Sequence, residues 1–156
     1  MRYVEHFMVD KRSFFVYAPP RMRSILTILA GFMLVWSAMA ENVTALRPAI
    51  NDAAKEHDVD PVLMEAIIRH ESANATSSAA RRKNNLAGIM GKKGQRKYES
   101  KEACVQDLAG LLAKYRAKGR TTVPQIARVY CKSTSTWIRH VNSYMNRIRK
   151  GEFGEL

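Results

Sequence analysis

The feature that most constrains the fold is a succession of segments that begin like helices, of which the run from Val62 to Arg69 contains no helix breaker. Asp60 and Ser100 are good helix caps, and Pro61 suits the first position of a helix. Five helices are predicted on this basis: Thr44 to about His57, Pro61 to Glu71, Lys101 to Ala117, Val123 to Tyr130, and about Ser135 to Arg149. Only Gly91 to Tyr98 leaves room for strands. The sequence therefore predicts a small, mainly α domain with at most one short β-hairpin.

The second predicted helix carries a glutamate on its apolar side. Met64, Ile67 and Ile68 form the apolar stripe of this helix, and spacings of three and four residues place Glu71 on the same stripe. Apolar surroundings and the negative end of the helix dipole both disfavour an ionised carboxylate. A carboxyl that stays protonated near neutrality is what a general acid needs. A frayed last turn with a solvated Glu71 is the alternative, and position alone leaves both open.

The residues that follow Glu71 form a recognisable pattern. Its elements are Glu71-Ser72, Thr76-Ser77, Ala80 and Asn84-Asn85-Leu86-x-Gly88-Ile89-x-Gly91. This pattern resembles the signature of bacterial N-acetylglucosaminidases that cut peptidoglycan, the flagellar-muramidase and autolysin type of glycoside hydrolase family 73. Later elements resemble that family as well, namely Tyr98-Glu-Ser-Lys-Glu102, Asp107-Leu108, Ile126-Ala127, Tyr130-Cys131, Trp137 and Val141. The resemblance covers about Asp58 to Ile148.

The resemblance implies a lysozyme-like fold and roles for several residues. In the family, the glutamate at the position of Glu71 is the catalytic acid, and a tyrosine at the position of Tyr130 lies close to it. Tyr98 and Trp137 are expected to offer flat faces on which sugar rings stack. For Asn84 and Asn85, whose residue type also suits a left-handed turn, we predict substrate contacts.

Some positions depart from the family pattern. Residues 73–75 are Ala-Asn-Ala where Gly-Trp-Gly is usual, and Ala87 replaces an aromatic residue. The segment after Gly91 is too short for the family's long hairpin, on which a second acidic residue often lies. Glu99 is the best remaining candidate for a second carboxyl, ahead of Glu102 and Asp107. We therefore expect substrate-assisted hydrolysis, in which the acetamido group of the sugar replaces the second carboxyl.

The first forty residues read as an export signal. Arg21 and Arg23 precede the apolar run from Ile25 to Trp36, and Ala38-Met39-Ala40 fits a cleavage site. The run is shorter than the roughly 20 residues that span a membrane, so no stable span is expected after processing. Met22 is an alternative start. Residues 1–40 are thus predicted to be a signal peptide and 41–156 a single catalytic domain of a periplasmic, extracellular or cell-wall protein.

The cysteines could form a disulfide, and the histidines are candidate metal ligands. Cys104 and Cys131 are the only cysteines, and an oxidising compartment favours a disulfide between them, with two buried thiols as the alternative. His70 and His140 lack the spacing of metal ligands. No metal or cofactor is predicted.

Net charge points to a polyanionic partner. The chain carries a formal charge of +12, but its basic residues are scattered and no nucleic-acid motif accompanies them. Peptidoglycan attracts a cationic protein by the same long-range field. The expected partner is therefore peptidoglycan and not nucleic acid, and no residue identifies a recruiting protein. Besides the glucosaminidase, a lytic transglycosylase and a noncatalytic peptidoglycan-binding or assembly protein remain as alternatives.

Overall fold

The computed structural model describes residues 43–154. These residues form a 3-10 turn at Thr44–Leu46, six α-helices and one antiparallel hairpin. The helices are α1 (Arg47–His57), α2 (Pro61–Ser72), α3 (Ser78–Lys83), α4 (Lys101–Ala117), α5 (Val123–Tyr130) and α6 (Thr134–Arg149), and the strands are β1 (Met90–Gly91) and β2 (Gly94–Gln95). The predicted mainly α fold with one short hairpin is confirmed.

Helix α3 is absent from the sequence-based prediction. Its cap is clear, since the Ser77 hydroxyl accepts a hydrogen bond from the Ala80 N–H at 3.2 Å. Ala80 is its only buried residue, and three basic residues form its last turn. A helix of six residues with one buried side chain has no apolar stripe that a sequence pattern could detect.

Helix α2 is the centre of the core. It packs against α1 and α6, while α4 packs on α1 and α5 packs on α6. Most of its side chains from Leu63 to Arg69 are buried. Because neighbouring elements cover α2 on several sides, its last turn is fixed in space relative to α6 and to the loop after α3.

A buried ion network lies on one side of α2. The carboxylate of Glu65 is 1% exposed, and it accepts hydrogen bonds from Arg69 at 2.7 Å and from Arg47 at 3.0 Å. The guanidinium of Arg69 lies 3.8 Å from the centre of the Phe153 ring, and Arg47 donates to the carbonyl oxygen of Gly154 at 2.9 Å. The network therefore joins α1, α2 and the residues that follow α6.

Cys104 and Cys131 are free thiols, so the structure does not contain the predicted disulfide. The Cys104 side chain points into the core, where its sulfur accepts a hydrogen bond from the Leu86 N–H at 3.3 Å. The Cys131 thiol donates to the Ala127 carbonyl oxygen at 3.7 Å, within its own turn of chain. Each sulfur is thus engaged with a different part of the backbone.

The predicted signal peptide lies outside the described residues. Within residues 43–154, no helix combines the length and the apolar character needed to cross a bilayer.

Candidate active site

The carboxyl group of Glu71 lies at the end of α2 between two neighbours. The indole N–H of Trp137, on α6, donates a hydrogen bond to Oε1 at 2.8 Å. On the other side, Gly88 lies against Oε2. Glu71 is half-buried, and α2 continues to Ser72. The alternative of a frayed last turn is therefore wrong, and the carboxyl is held in one orientation.

Helix α2 ends in a left-handed turn. Ala73, Asn74 and Ala75 have φ values of 49°, 56° and 67°, a conformation that costs a non-glycine residue about 1–2 kcal/mol. The Ser72 hydroxyl holds the turn, because it donates to the Ile68 carbonyl oxygen at 2.5 Å and accepts from the Ala75 N–H at 2.7 Å. Two of these positions are glycine in the family pattern, so the departure at residues 73–75 concentrates strain beside Glu71.

The two asparagines after α3 hold the next loop together. Asn85 is 1% exposed, and its amide donates to the carbonyl oxygens of Ile89 at 2.9 Å and Arg96 at 3.0 Å. The Asn84 amide donates to the carbonyl oxygens of residues 98 and 99, both at 3.2 Å. Both side chains therefore hold the backbone on either side of and within the hairpin region, and the predicted substrate contacts stay a prediction.

Gly88 is the point at which this loop meets the Glu71 carboxyl. Its φ of +64° lies in the left-handed region, and a Cβ atom there would lie 2.8 Å from Oε2 of Glu71. Only glycine satisfies both conditions without a shift of the carboxyl group. The sequence pattern indicated a turn at Gly88, but it did not reveal that the turn touches Glu71.

Trp137 and Tyr130 form an aromatic pair beside the carboxyl. Their ring centres are 5.4 Å apart at an angle of 36°. Trp137 is 3% exposed, so it positions Glu71 through its N–H and does not offer the predicted open face for a sugar. The Tyr130 hydroxyl donates to the Ala87 carbonyl oxygen at 2.5 Å. Burial, and secondarily the charge of Glu71, raise the pKa of Tyr130 well above its usual value, so the phenol stays neutral.

Two histidines lie close to Trp137, which is one member of the aromatic pair. The His70 ring is 6.5 Å from Trp137 and 5.1 Å from His140, with edge-to-face geometry in both cases. Burial lowers the pKa of His70, against the opposing effect of Glu71, so the ring is neutral at pH 7. Among residues 43–154, no group of three or more His, Cys, Asp or Glu side chains is arranged to hold a metal ion.

A pocket of about 290 Å³ opens beside this centre. It is lined by residues of the loop before β1 (Gly88, Ile89), of β1 (Met90), of α4 (Asp107, Leu111, Lys114, Tyr115) and of α5 (Val129, Tyr130), and by Arg96. Gly88 and Tyr130 are shared between the pocket and the surroundings of Glu71. The pocket therefore extends from the neighbours of Glu71 towards α4.

The carboxylate that lines this pocket is Asp107, whereas Glu99 does not line it. Oδ2 of Asp107 accepts hydrogen bonds from Arg96 at 2.6 Å and from the Tyr98 hydroxyl at 2.7 Å. Burial, with the hydrogen bond to Asp107, raises the pKa of Tyr98, whose ring packs on the core. Glu99 is exposed. Of the predicted site residues, the structure brings together Glu71, Tyr130 and Trp137, while Tyr98 supports Asp107.

The sequence model of the Glucosaminidase family, described as mannosyl-glycoprotein endo-beta-N-acetylglucosaminidase, matches residues 47–150. The match begins at the first residue of α1 and ends one residue after α6, so it includes Glu71, the hairpin and the pocket. Comparisons with curated proteins and with solved structures give no significant match.

Proposed function

Because the chain belongs to the Glucosaminidase family and is thus a glycoside hydrolase acting on peptidoglycan, we propose that Glu71 is its general acid. The bond cut is the β-1,4 bond on the reducing side of N-acetylglucosamine. One observation carries this proposal: the Glu71 carboxyl is held at Oε1 by Trp137 and bounded at Oε2 by Gly88, beside an open pocket. A fixed, half-buried carboxyl is suited to protonate a glycosidic oxygen.

The surroundings of Glu71 favour a substrate-assisted reaction. Within the described residues, no hydrogen bond joins Glu71 to a second carboxyl group. Hydrogen bonds from the backbone and from Ser100 lower the pKa of Glu102, which marks it as a helix-capping charge on α4. Asp107 is engaged by Arg96 and Tyr98. The acetamido group of the sugar is therefore the better nucleophile.

The proposed reaction has two steps. Glu71 donates its proton to the glycosidic oxygen as the C1–O bond breaks, and the acetamido oxygen bonds to C1. Water then adds to C1 as the bond between C1 and the acetamido oxygen breaks, and it gives a proton to the Glu71 carboxylate, so the acetamido group and the acid are both restored. Tyr130 donates its own hydrogen to Ala87, which leaves oxygen lone pairs free to accept the acetamido N–H and to orient that group.

We also propose export of the enzyme. Peptidoglycan lies outside the cytoplasmic membrane, and the apolar run that ends before Ala40 supports removal of a signal peptide. Residues 41–156 would then be the mature catalytic domain.

Fragment analysis tests the proposed reaction. The purified protein is incubated with peptidoglycan, and the soluble products are identified by mass spectrometry. Reducing N-acetylglucosamine ends support the proposal. Anhydro-muramyl ends would instead identify a lytic transglycosylase, and binding without fragments would identify a noncatalytic protein.

Replacing Gly88 with alanine is expected to lower kcat/KM on peptidoglycan at least about tenfold, because the new Cβ displaces the Glu71 carboxyl. The matched control is Gly119→Ala. Gly119 has a φ of +72°, and no atom lies within 4 Å of the place that a Cβ would take, so this variant reproduces the backbone strain alone. Kinetics and thermal unfolding of both variants separate the effects. Equal activity in the two variants would contradict a contact between residue 88 and the acid.

Replacing Trp137 with phenylalanine is expected to lower kcat about 10- to 100-fold with little change in KM, because Glu71 loses the N–H that orients it. The smaller ring also destabilises the core. Ile148→Val is the control, since Ile148 is buried on the same helix about three turns beyond Trp137. A kcat that falls equally in both variants would mean that Trp137 acts through stability alone.

A further inference from the structure

Two exposed apolar side chains mark one place on the surface. Among residues 43–154, Met90 and Val129 are the large apolar residues with high exposure, at 61% and 42%. Both line the pocket beside Glu71, Met90 from β1 and Val129 from α5. Apolar side chains that stay exposed in the lining of one pocket are typical of a ligand-binding surface.

The pocket also contains a cation without a partner. Within the described part of the chain, the Lys114 ammonium takes part in no hydrogen bond or ion pair, whereas the charge of Arg96 is matched by Asp107 at 2.6 Å. The three charged side chains of the lining are Arg96, Asp107 and Lys114, so the pocket has an excess of one positive charge. Such a pocket favours a ligand that combines a carboxylate with small apolar groups.

Peptidoglycan offers one component with that chemistry close to its glycan chain. The peptide stems contain alanine methyl groups and free carboxylates, whereas the lactyl carboxyl of a substituted muramyl sugar is consumed in the amide bond to the stem. The pocket begins at Gly88 and Tyr130, which are also the neighbours of the Glu71 site. A stem attached to the sugar next to the scissile bond is therefore within the same continuous surface.

We infer that this pocket binds the peptide stem of peptidoglycan, with Lys114 contacting a stem carboxylate and Met90 and Val129 packing on alanine methyl groups. This inference rests on the proposed function and adds a specificity-determining contact to it. The enzyme then prefers glycan that still carries its peptides over glycan from which they have been removed.

The test compares two substrates prepared from the same wall. One is soluble glycan with its stems, and the other is the same glycan after an amidase has removed them. Lys114→Glu is expected to lower kcat/KM about tenfold on the first substrate, by loss of a charge-assisted hydrogen bond, and to leave the second unchanged. Lys118→Glu is the matched control. It makes the same charge change in an exposed residue just after α4, outside the pocket.

Equal losses on both substrates would overturn the inference, because stripped glycan exposes only its lactyl carboxylates. No loss on either substrate would overturn it as well. Binding of stem-bearing fragments by Glu71→Gln, with and without Lys114→Glu, gives a readout that does not need turnover. Lys114-dependent binding by a protein that never cleaves would reject the proposed function and retain the stem site. Normal cleavage, together with binding that does not depend on Lys114, would retain the proposed function and reject the stem site.

Discussion

Replacing Glu71 with glutamine is expected to lower kcat on peptidoglycan by about 10²- to 10⁴-fold, the usual contribution of a general acid. An amide has the shape of the carboxyl, but it has no acidic proton to give to the leaving oxygen. Its carbonyl oxygen still accepts the indole N–H of Trp137, which lies 2.8 Å from Oε1 in the unchanged protein. The fold and the affinity for glycan are therefore expected to persist. Initial rates of fragment release, with circular dichroism to check folding, measure the effect.

Two further variants make this result specific. Glu56→Gln changes an exposed glutamate on α1 whose carboxylate contacts Gln106, and it should retain full activity. Glu99→Gln addresses the residue that the sequence favours as a second carboxyl. Retained activity in Glu99→Gln, together with loss in Glu71→Gln, supports a substrate-assisted reaction. A Glu71→Gln protein that cleaves at the normal rate would show that Glu71 is not the general acid.

The sequence predicted the position of Glu71 at the end of α2 because the signals for it are local. Asp60 caps α2 through a 2.8 Å hydrogen bond to the Val62 N–H, and the spacing of Ile67, Ile68 and Glu71 sets the direction of the carboxyl. Capping and helical periodicity depend on a few neighbouring residues, so they can be read from a single chain. The same is true of the helices around the site, whose predicted bounds agree with the structure within a few residues.

The contacts of the Glu71 carboxyl could not be predicted in the same way. Trp137 is 66 positions from Glu71 along the chain, and the family resemblance led us to expect that its ring stacks on sugar. Its N–H reaches Glu71 only because α6 packs on α2. The asparagines show the same limit, since the use of the Asn85 amide depends on where the hairpin carbonyl groups lie. These roles belong to tertiary packing.

The ion network on α2 is the clearest example of a feature that the sequence did not predict. Glu65 and Arg69 are four residues apart, a spacing typical of a solvated pair on a helix surface. In the structure both side chains are 1% exposed. Arg69 also donates to the side-chain oxygen of Asn74 at 3.3 Å, so the network reaches the turn that follows Glu71. The orientation of the acid thus depends in part on charges that lie on another side of its helix.

Replacing Glu65 with alanine is expected to lower the free energy of unfolding by about 3–5 kcal/mol, because it removes a buried carboxylate and leaves the buried guanidinium of Arg69 without it. Arg69 keeps its contact with the Thr44 hydroxyl, but that hydroxyl carries no charge. Urea unfolding followed by circular dichroism measures the change. The catalytic rate should fall in parallel, since the turn at Asn74 loses its support.

The control for burial is the exposed pair between Arg147 and Glu152, whose side chains are 44% and 43% exposed. Glu152→Ala removes a carboxylate from an arginine as Glu65→Ala does, but solvent replaces the lost partner, so a cost of at most about 1 kcal/mol is expected. A similar cost in both variants would show that water reaches the Glu65 site and that the network does not hold α2. A large difference, with the loss of activity confined to Glu65→Ala, would establish that buried charge positions the catalytic helix.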